Sequence, residues 1–433
     1  MRKIIFGLLV CLTWSCGATA GNYERISDWE AWSSLPERRW LGTGFWGNRL
    51  QDWRVSQGKL IYSSAELRMP KTVHSLKWQA STAHEPLRMK TTVTLPVGSA
   101  AGFAGFLVGA GQGMLDWRGA SIIAGTPGTG GGIMATVDFQ GSNALHIRDN
   151  NDSGPVPLAV PFSDAVLTSA PNLSPGTQTV VLRLKVVPQK NGSCTLRLEC
   201  WDRAEDQLLG AVEKSDLPSA QLTGNIALVA HGGKAGAEVA FDDWQIGGAR
   251  LVRHPERGFG PIAGALYSLA DDRLKVGVQL IPLGIHGEPM PADLQVGIQK
   301  KAGLGWRTIA SAAVVSDDYH HLFAFDGWNS TRQVQLRAVF KDLDGELHTY
   351  PFTVQAEPKS GTDISIATFN CMGAVGLYAQ TPNAKPGSGE RPIGKWTSSN
   401  VWFPFEGLVD QAAQLEPDIL LFLGDQIYEN RPS

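Results

Sequence analysis

Cysteine is scarce in this sequence, five among 433 residues, and that excludes a small disulfide-stapled fold. Charge of one sign is not in excess either. Lys and Arg number 38 against 41 Asp and Glu, a formal net charge of −3. No run of basic residues interleaves with aromatics, so no nucleic-acid partner is expected. No apolar run approaches the roughly 20 residues that a membrane-spanning helix requires, so no transmembrane segment is expected. What the chain has instead is length and turns. At about 100 to 200 residues per domain it holds two or three, and its 49 glycines and 25 prolines suit short strands better than a helical bundle.

Arg2 and Lys3 precede an apolar run from Ile4 to Trp14 and the small-residue stretch Ala18-Thr19-Ala20. This is the order of a secretory signal peptide, residues 1–20, with cleavage expected after Ala20. The chain is therefore expected to be exported, to a periplasmic, cell-surface or extracellular destination. Cleavage removes Cys11 and Cys16 and leaves Cys194, Cys200 and Cys371. Cys194, Leu196, Leu198 and Cys200 alternate with Thr195, Arg197 and Glu199, which puts both cysteines on the buried face of one strand. Extended chain holds them about 20 Å apart, too far to bond.

From Asn22 to Gly248 short alternating runs are separated by Gly, Pro and Asn clusters. Thr179 to Val187 and Ser193 to Trp201 read as strands, joined by Gln189-Lys190-Asn191-Gly192 with its hairpin-favouring Asn-Gly pair. The segment closes with "GNIALVAHGG" and "FDDWQIGG". Those two strands resemble the end of a concanavalin-like or laminin-G-like jelly roll, which implies a β-sandwich over residues 22–250. Such domains often bind glycans, so a polysaccharide is a candidate partner of this domain. Nine of the fourteen tryptophans lie between Trp29 and Trp244, and core packing is the expected role for them ahead of sugar stacking. Asp242 and Asp243 could hold calcium, but ordinary strand-end carboxylates are the expectation.

Between Leu251 and Glu357 strands are expected at Leu274 to Ile281, Leu294 to Lys300, Val334 to Phe340 and Thr349 to Val354, with Asp342-Leu343-Asp344-Gly345 as a turn. This suits a small immunoglobulin-like sandwich over 251–357, with Phe323, Phe325 and Trp328 in its core. Adjacent His320 and His321 point to opposite faces of a strand and are not expected to share a metal.

The periodicity then changes again. Ile364 to Phe369 is a strand ending at Asn370 and Cys371, a loop rich in Gly, Pro, Ser and Thr follows, and Phe405, Leu408, Val409, Ala412 and Leu415 fall at helical spacing before Pro417. Ile419 to Leu423 is a second apolar strand, so a βαβ unit with parallel strands is expected. Ligands gather at the carboxyl ends of such strands, where Cys371 and Gly424-Asp425 lie. Tyr428 follows Asp425 by three residues, on the same side of a starting helical turn. Thiolate, carboxylate and phenolate could converge there on one ion.

The stretch "PDILLFLGDQIYENRP" resembles the first aspartate motif of the PhoD-like (alkaline phosphatase D) metallophosphoesterases. The resemblance implies a truncated α/β metallophosphoesterase domain over 363–433, with Cys371, Asp425 and Tyr428 as metal ligands and Asp425 bridging. It further implies two metal ions, Fe(III) with Ca(II) or another divalent ion, and a phosphate ester as substrate. Thr368-Phe369-Asn370 departs from the family's Ala-Ser before Cys371, and no histidine follows His348. The second metal site is thus not encoded here, and the chain is expected to be a fragment with little activity of its own. "IATFN" also resembles the opening strand of the endonuclease/exonuclease/phosphatase family, but Gly424-Asp425 stands where that family's Gln-Glu would be. A third expectation is a secreted carbohydrate-binding or adhesion-type β-sandwich protein without catalysis.

Overall fold

The computed structural model describes residues 24–25, 37–63, 70–96, 102–111, 131–140, 142–150, 166–173, 178–284, 294–315, 318–342, 345–370 and 406–424. The proposed signal peptide and residues Cys371, Asp425 and Tyr428 lie outside these.

The first 253 residues supply sixteen strands: β1 (Glu24–Arg25), β2 (Phe45–Gly47), β3 (Trp53–Ser56), β4 (Lys59–Ser63), β5 (Lys71–Ala80), β6 (Leu87–Thr94), β7 (Phe103–Ala110), β8 (Ile133–Gln140), β9 (Ser142–Asp149), β10 (Val166–Leu173), β11 (Thr179–Pro188), β12 (Ser193–Trp201), β13 (Leu208–Pro218), β14 (Gly224–His231), β15 (Glu238–Gly247) and β16 (Leu251–Arg253). They form two eight-stranded sheets. One runs β13-β12-β11-β6-β15-β4-β3 with β1 beside β15, and the other runs β10-β9-β8-β7-β14-β5-β16 with β2 beside β5. The order shows long-range pairing: β14 inserts between β5 and β7, and β15 between β4 and β6. This is the β-sandwich expected of the jelly-roll reading.

The core lies between the sheets because each strand alternates. In β11 Val180, Leu182, Leu184 and Val186 point inward, and in β12 Cys194, Leu196, Leu198 and Cys200 meet them, the Asn-Gly hairpin having set the register of Lys185 against Arg197. Both cysteines are free and buried, as their alternation implied. Trp53 and Trp244 are wholly buried in this core, the packing role expected for them, while Trp46, Trp78 and Trp201 are half-buried. Gly248 follows β15 with φ +111, and a Cβ there would sit 2.2 Å from the Pro86 carbonyl oxygen, so glycine is needed for the chain to pass so close.

Seven further strands follow: β17 (Ile262–Ala270), β18 (Arg273–Leu280), β19 (Gln295–Ala302), β20 (Gly305–Ala313), β21 (His320–Asp326), β22 (Val334–Lys341) and β23 (Leu347–Val354). They make a three-stranded sheet, β17-β18-β21, and a four-stranded sheet, β20-β19-β22-β23. Leu274, Val276, Val278, Ile298, Leu336 and Phe340 fill the space between the two sheets, with Phe323 buried and Phe325 and Trp328 packed against them.

Residues 38–41 join the two cores. Arg38 exchanges backbone hydrogen bonds with Val55 of the first sandwich, and the Arg39 amide donates to Leu283 of the second. Trp40 is then buried in the second core and Leu41 in the first. The Trp40 indole also donates to the Phe259 carbonyl at 3.1 Å.

The last described segment is β24 (Ile366–Phe369), α1 (Glu406–Leu415) and β25 (Ile419–Phe422). β24 and β25 pair in parallel with Phe369 opposite Phe422, so the expected strand, helix, strand order is present and the helix stops before Pro417. This pair and its single helix are all the α/β structure among the described residues. The phosphoesterase domain itself is not formed by them, and the rest is β-sandwich.

Candidate functional site

The sequence placed its site at the carboxyl ends of β24 and β25. The structure does bring those ends together: the Phe369 and Phe422 rings stack at 5.3 Å, and the Leu423 amide donates to the Phe369 carbonyl at 2.8 Å. Cys371, Asp425 and Tyr428 follow these ends but lie outside the described residues. Asp242 and Asp243 stand at a register shift between β15 and β6. There Asp243 has φ +51, and its carboxylate accepts from Gln245 Nε2 at 2.8 Å and lies 3.8 Å from Lys90 Nζ. His320 and His321 separate as expected, His321 packing against the Phe323 ring at 4.4 Å.

The chemistry that the described residues do assemble lies on the outer face of the second large sheet. Strand alternation sends Ile133, Ala135 and Val137 into the core, so Met134, Thr136 and Asp138 of β8 point outward. In β9 Leu145 and Ile147 go inward, leaving His146 and Arg148 outside. Thr136 pairs with His146 across the β8 and β9 ladder, and Phe103 of β7 pairs with both Asp138 and His231. Two charged residues, two histidines, a hydroxyl and a phenyl ring therefore share one margin of the sheet.

Their contacts fix their directions. Arg148 grips Asp138 with both ends of its guanidinium, Nη1 reaching Oδ1 at 3.1 Å and Nη2 donating to Oδ2. Nη1 also donates to the Thr136 hydroxyl, which donates in turn to Asp138 Oδ1 at 2.9 Å. His146 Nε2 lies 3.6 Å from Asp138 Oδ2. The guanidinium sits over the Phe103 ring, 5.4 Å from its centroid, and that ring stacks on His231 at 5.6 Å with 14° between planes. A guanidinium on a ring face adds cation–π attraction to the ion pair.

Burial is graded across this face. Leu107, Met134, Ala227 and Val229 in its middle are fully buried and form a second small apolar cluster with Ala110 and Phe103. The Arg148 side chain is 6% exposed, whereas Asp138 and His146 keep 19% and 20% of their surface open. Solvent, or a ligand, therefore meets the network at Asp138 and His146. Arg148 Nε and His146 Nδ1 are buried without a hydrogen-bond partner, an uncompensated cost for two polar groups. Burial, then Arg148, hold the His146 pKa below its ordinary value, against the pull of Asp138.

At its open edge the network presents the Asp138 carboxylate and the His146 imidazole, which can exchange hydrogen bonds with hydroxyl groups, while Thr136, Arg148, Phe103 and His231 are buried behind them and hold them in place. The sequence reading did not single out these residues, apart from His231 in its strand motif. The available signal was the placement of Thr136, Asp138, His146 and Arg148 at every second position in two consecutive strands, opposite Ala135, Val137, Leu145 and Ile147.

No protein-family model and no curated protein matches the chain. Among solved structures it is similar to the Emp47p carbohydrate recognition domain, at 11% identity over 52% of this chain and 96% of that one, with a TM-score of 0.34. A legume lectin-like domain from Entamoeba histolytica gives 12% over 47% and 89%, TM-score 0.32. The VIP36 exoplasmic/lumenal domain, solved with Ca2+ and Man3GlcNAc, gives 9% over 49% and 85%, TM-score 0.33.

These findings correct the expectation of an enzyme. The described residues fold almost entirely as β-sandwiches, with no phosphoesterase fold among them. The descriptions hydrolase, alkaline phosphatase and phosphodiesterase fall with it. The physical reason is one of scale: a sixteen-residue motif resembles a catalytic family, but one helix and two short parallel strands cannot build a catalytic centre. The phosphate ester and the Fe(III) and Ca(II) pair accordingly have no support in the described structure.

Proposed function

We propose that this chain is an exported carbohydrate-binding protein of the adhesion type, and that its first β-sandwich meets the glycan at the Asp138 and His146 margin of the second large sheet. The supporting observation is the half-open network itself, in which Asp138, His146, Thr136 and Arg148 are held in fixed directions beside the stacked Phe103 and His231 rings. Sugars present hydroxyl edges, and the half-open carboxylate and imidazole of this margin offer partners for them. Among the described residues no helix is long and apolar enough to cross a membrane, which agrees with an exported chain.

The test is retention of the whole chain on immobilised polysaccharides and a glycan array holding neutral and acidic oligosaccharides, run beside His146→Ala and Asp138→Asn. Binding by the parent that both substitutions weaken at least several-fold is the expected result. Parent binding that neither substitution changes would move the site elsewhere, and a parent that holds no glycan would end the proposal.

A further inference from the structure

The described residues contain one other concentration of ligand atoms, in the second sandwich, at the hairpin that joins β22 to β23. Asp342, Glu346 and His348 each turn one donor atom inward so that all three lie within 4.8 Å of one another. The backbone explains the convergence. The Asp342 amide donates to the Glu346 carbonyl and the Gly345 amide to the Asp342 carbonyl, both at 3.0 Å, which folds the chain back on itself. Glu346 and His348 are two residues apart and so project on one side of the returning chain, and Asp342 faces them from the other arm.

The donors are also oriented. Asp342 Oδ1 accepts the Glu346 amide at 2.9 Å, which turns Oδ2 toward His348 Nε2 at 2.6 Å. The Trp40 indole lies edge-on to the imidazole, with centroids 5.6 Å apart and 89° between planes, and Trp40 is itself buried. The side chains of Asp342 and His348 are 4% and 10% exposed, while Glu346 reaches solvent. A ring held by a neighbouring side chain and a carboxylate held by a backbone amide are the supports that ligands of a metal centre need.

We propose that Asp342, Glu346 and His348 form a binding site for a first-row divalent metal ion of the zinc type. Two carboxylates neutralise a dication, and a nitrogen donor favours zinc or its neighbours over calcium, which takes oxygen ligands. Metal ligands at about 2.0 to 2.2 Å from an ion lie roughly 3 Å from each other, so Asp342 and His348 already stand close to a ligand separation. The remaining movement falls to Glu346, whose exposed side chain is free to swing in. On binding, the hydrogen on Nε2 gives way to the ion and the neutral ring carries its proton on Nδ1; solvent completes the coordination. The ion would tie the two arms of the hairpin together beside Trp40. This site stands apart from the proposed glycan margin and does not depend on it.

Zinc titration calorimetry on the chelator-treated full chain tests the assignment, with His348→Gln and Glu346→Gln as variants and circular dichroism to show that each keeps its sheet. One equivalent of Zn2+ is expected to bind the parent, with affinity about tenfold or more lower in each variant. Co2+ in place of Zn2+ should give visible absorption bands in the parent that fade in His348→Gln. No binding by the parent overturns the proposal. So does Zn2+ affinity that either variant leaves unchanged, because the ion is then held by other histidines.

Discussion

Replacing Asp138 with alanine removes both acceptors that Arg148 uses within the outer-face network and leaves its guanidinium the Thr136 hydroxyl alone. Breaking a fully buried ion pair costs about 3–5 kcal/mol, but Asp138 retains 19% exposure against 6% for Arg148. Water entering at the vacated carboxylate should lower the cost to about 2–3 kcal/mol. Arg148→Met should cost less, about 1–2 kcal/mol, because the stranded carboxylate is the more exposed partner and keeps its hydrogen bond from Thr136. The double variant should then lie well above the sum of the two, since neither charge is left alone, with a coupling energy of about 1–3 kcal/mol. Scanning calorimetry reads this out at about 2–4 °C per kcal/mol for a unit of 150 to 250 residues. Strictly additive losses, or an Asp138→Ala change worth under about 0.5 kcal/mol, would refute the view that Asp138 and Arg148 form a coupled, partly buried pair.

Two further outcomes follow from burial. Desolvation pushes the His74 pKa down to about 3, so the folded chain keeps this imidazole neutral while the unfolded chain protonates it below about pH 6.5. Stability is then unaffected above that pH and is lost as pH falls from about 6.5 toward 3, by up to about 1.4 kcal/mol per pH unit; His74→Gln should flatten that slope in urea titrations at pH 7.5 and 4.5, and an equal slope in both proteins would exclude it. Burial also pushes the Cys200 thiol up to about 12, and Cys194 beside the Arg250 guanidinium is equally buried. Alkylation at pH 8 followed by peptide mapping should therefore leave both cysteines unlabelled in native chain and label both in denaturant; native labelling of either would mean that β12 opens readily.

Much of the architecture was legible because it follows from period-two alternation: β11, β12, β14 and β15 and the inward cysteines can be read directly from their residues. The parallel pairing of β24 and β25 was legible from a change in period around a helical stretch ending at Pro417. Strand order was not, since nothing local says that β14 enters between β5 and β7. The candidate site was hidden for the same reason. Asp138 and Arg148 form a pair only when β8 and β9 are in register and both faces of their sheet are known, and an outward charge in one strand looks like ordinary surface. The turn at Asp342 was read as a turn, while its partnership with His348 required the depth of the hairpin. The motif around Asp425 was persuasive as a string but carried no information on how much of a catalytic fold surrounds it.

The stitch made by residues 38–41 has a mechanical consequence. Arg38 and Leu41 are anchored in one sandwich and Trp40 in the other, while Arg39 bridges them, its amide on Leu283 and its guanidinium on Gln51 and Trp53, so a tension applied between the two bodies cannot concentrate in a slack tether. It loads backbone hydrogen bonds and a buried indole on both sides at once. Separation would demand withdrawing Trp40 from its pocket as well as breaking those bonds, which makes the junction a shear joint and not a hinge.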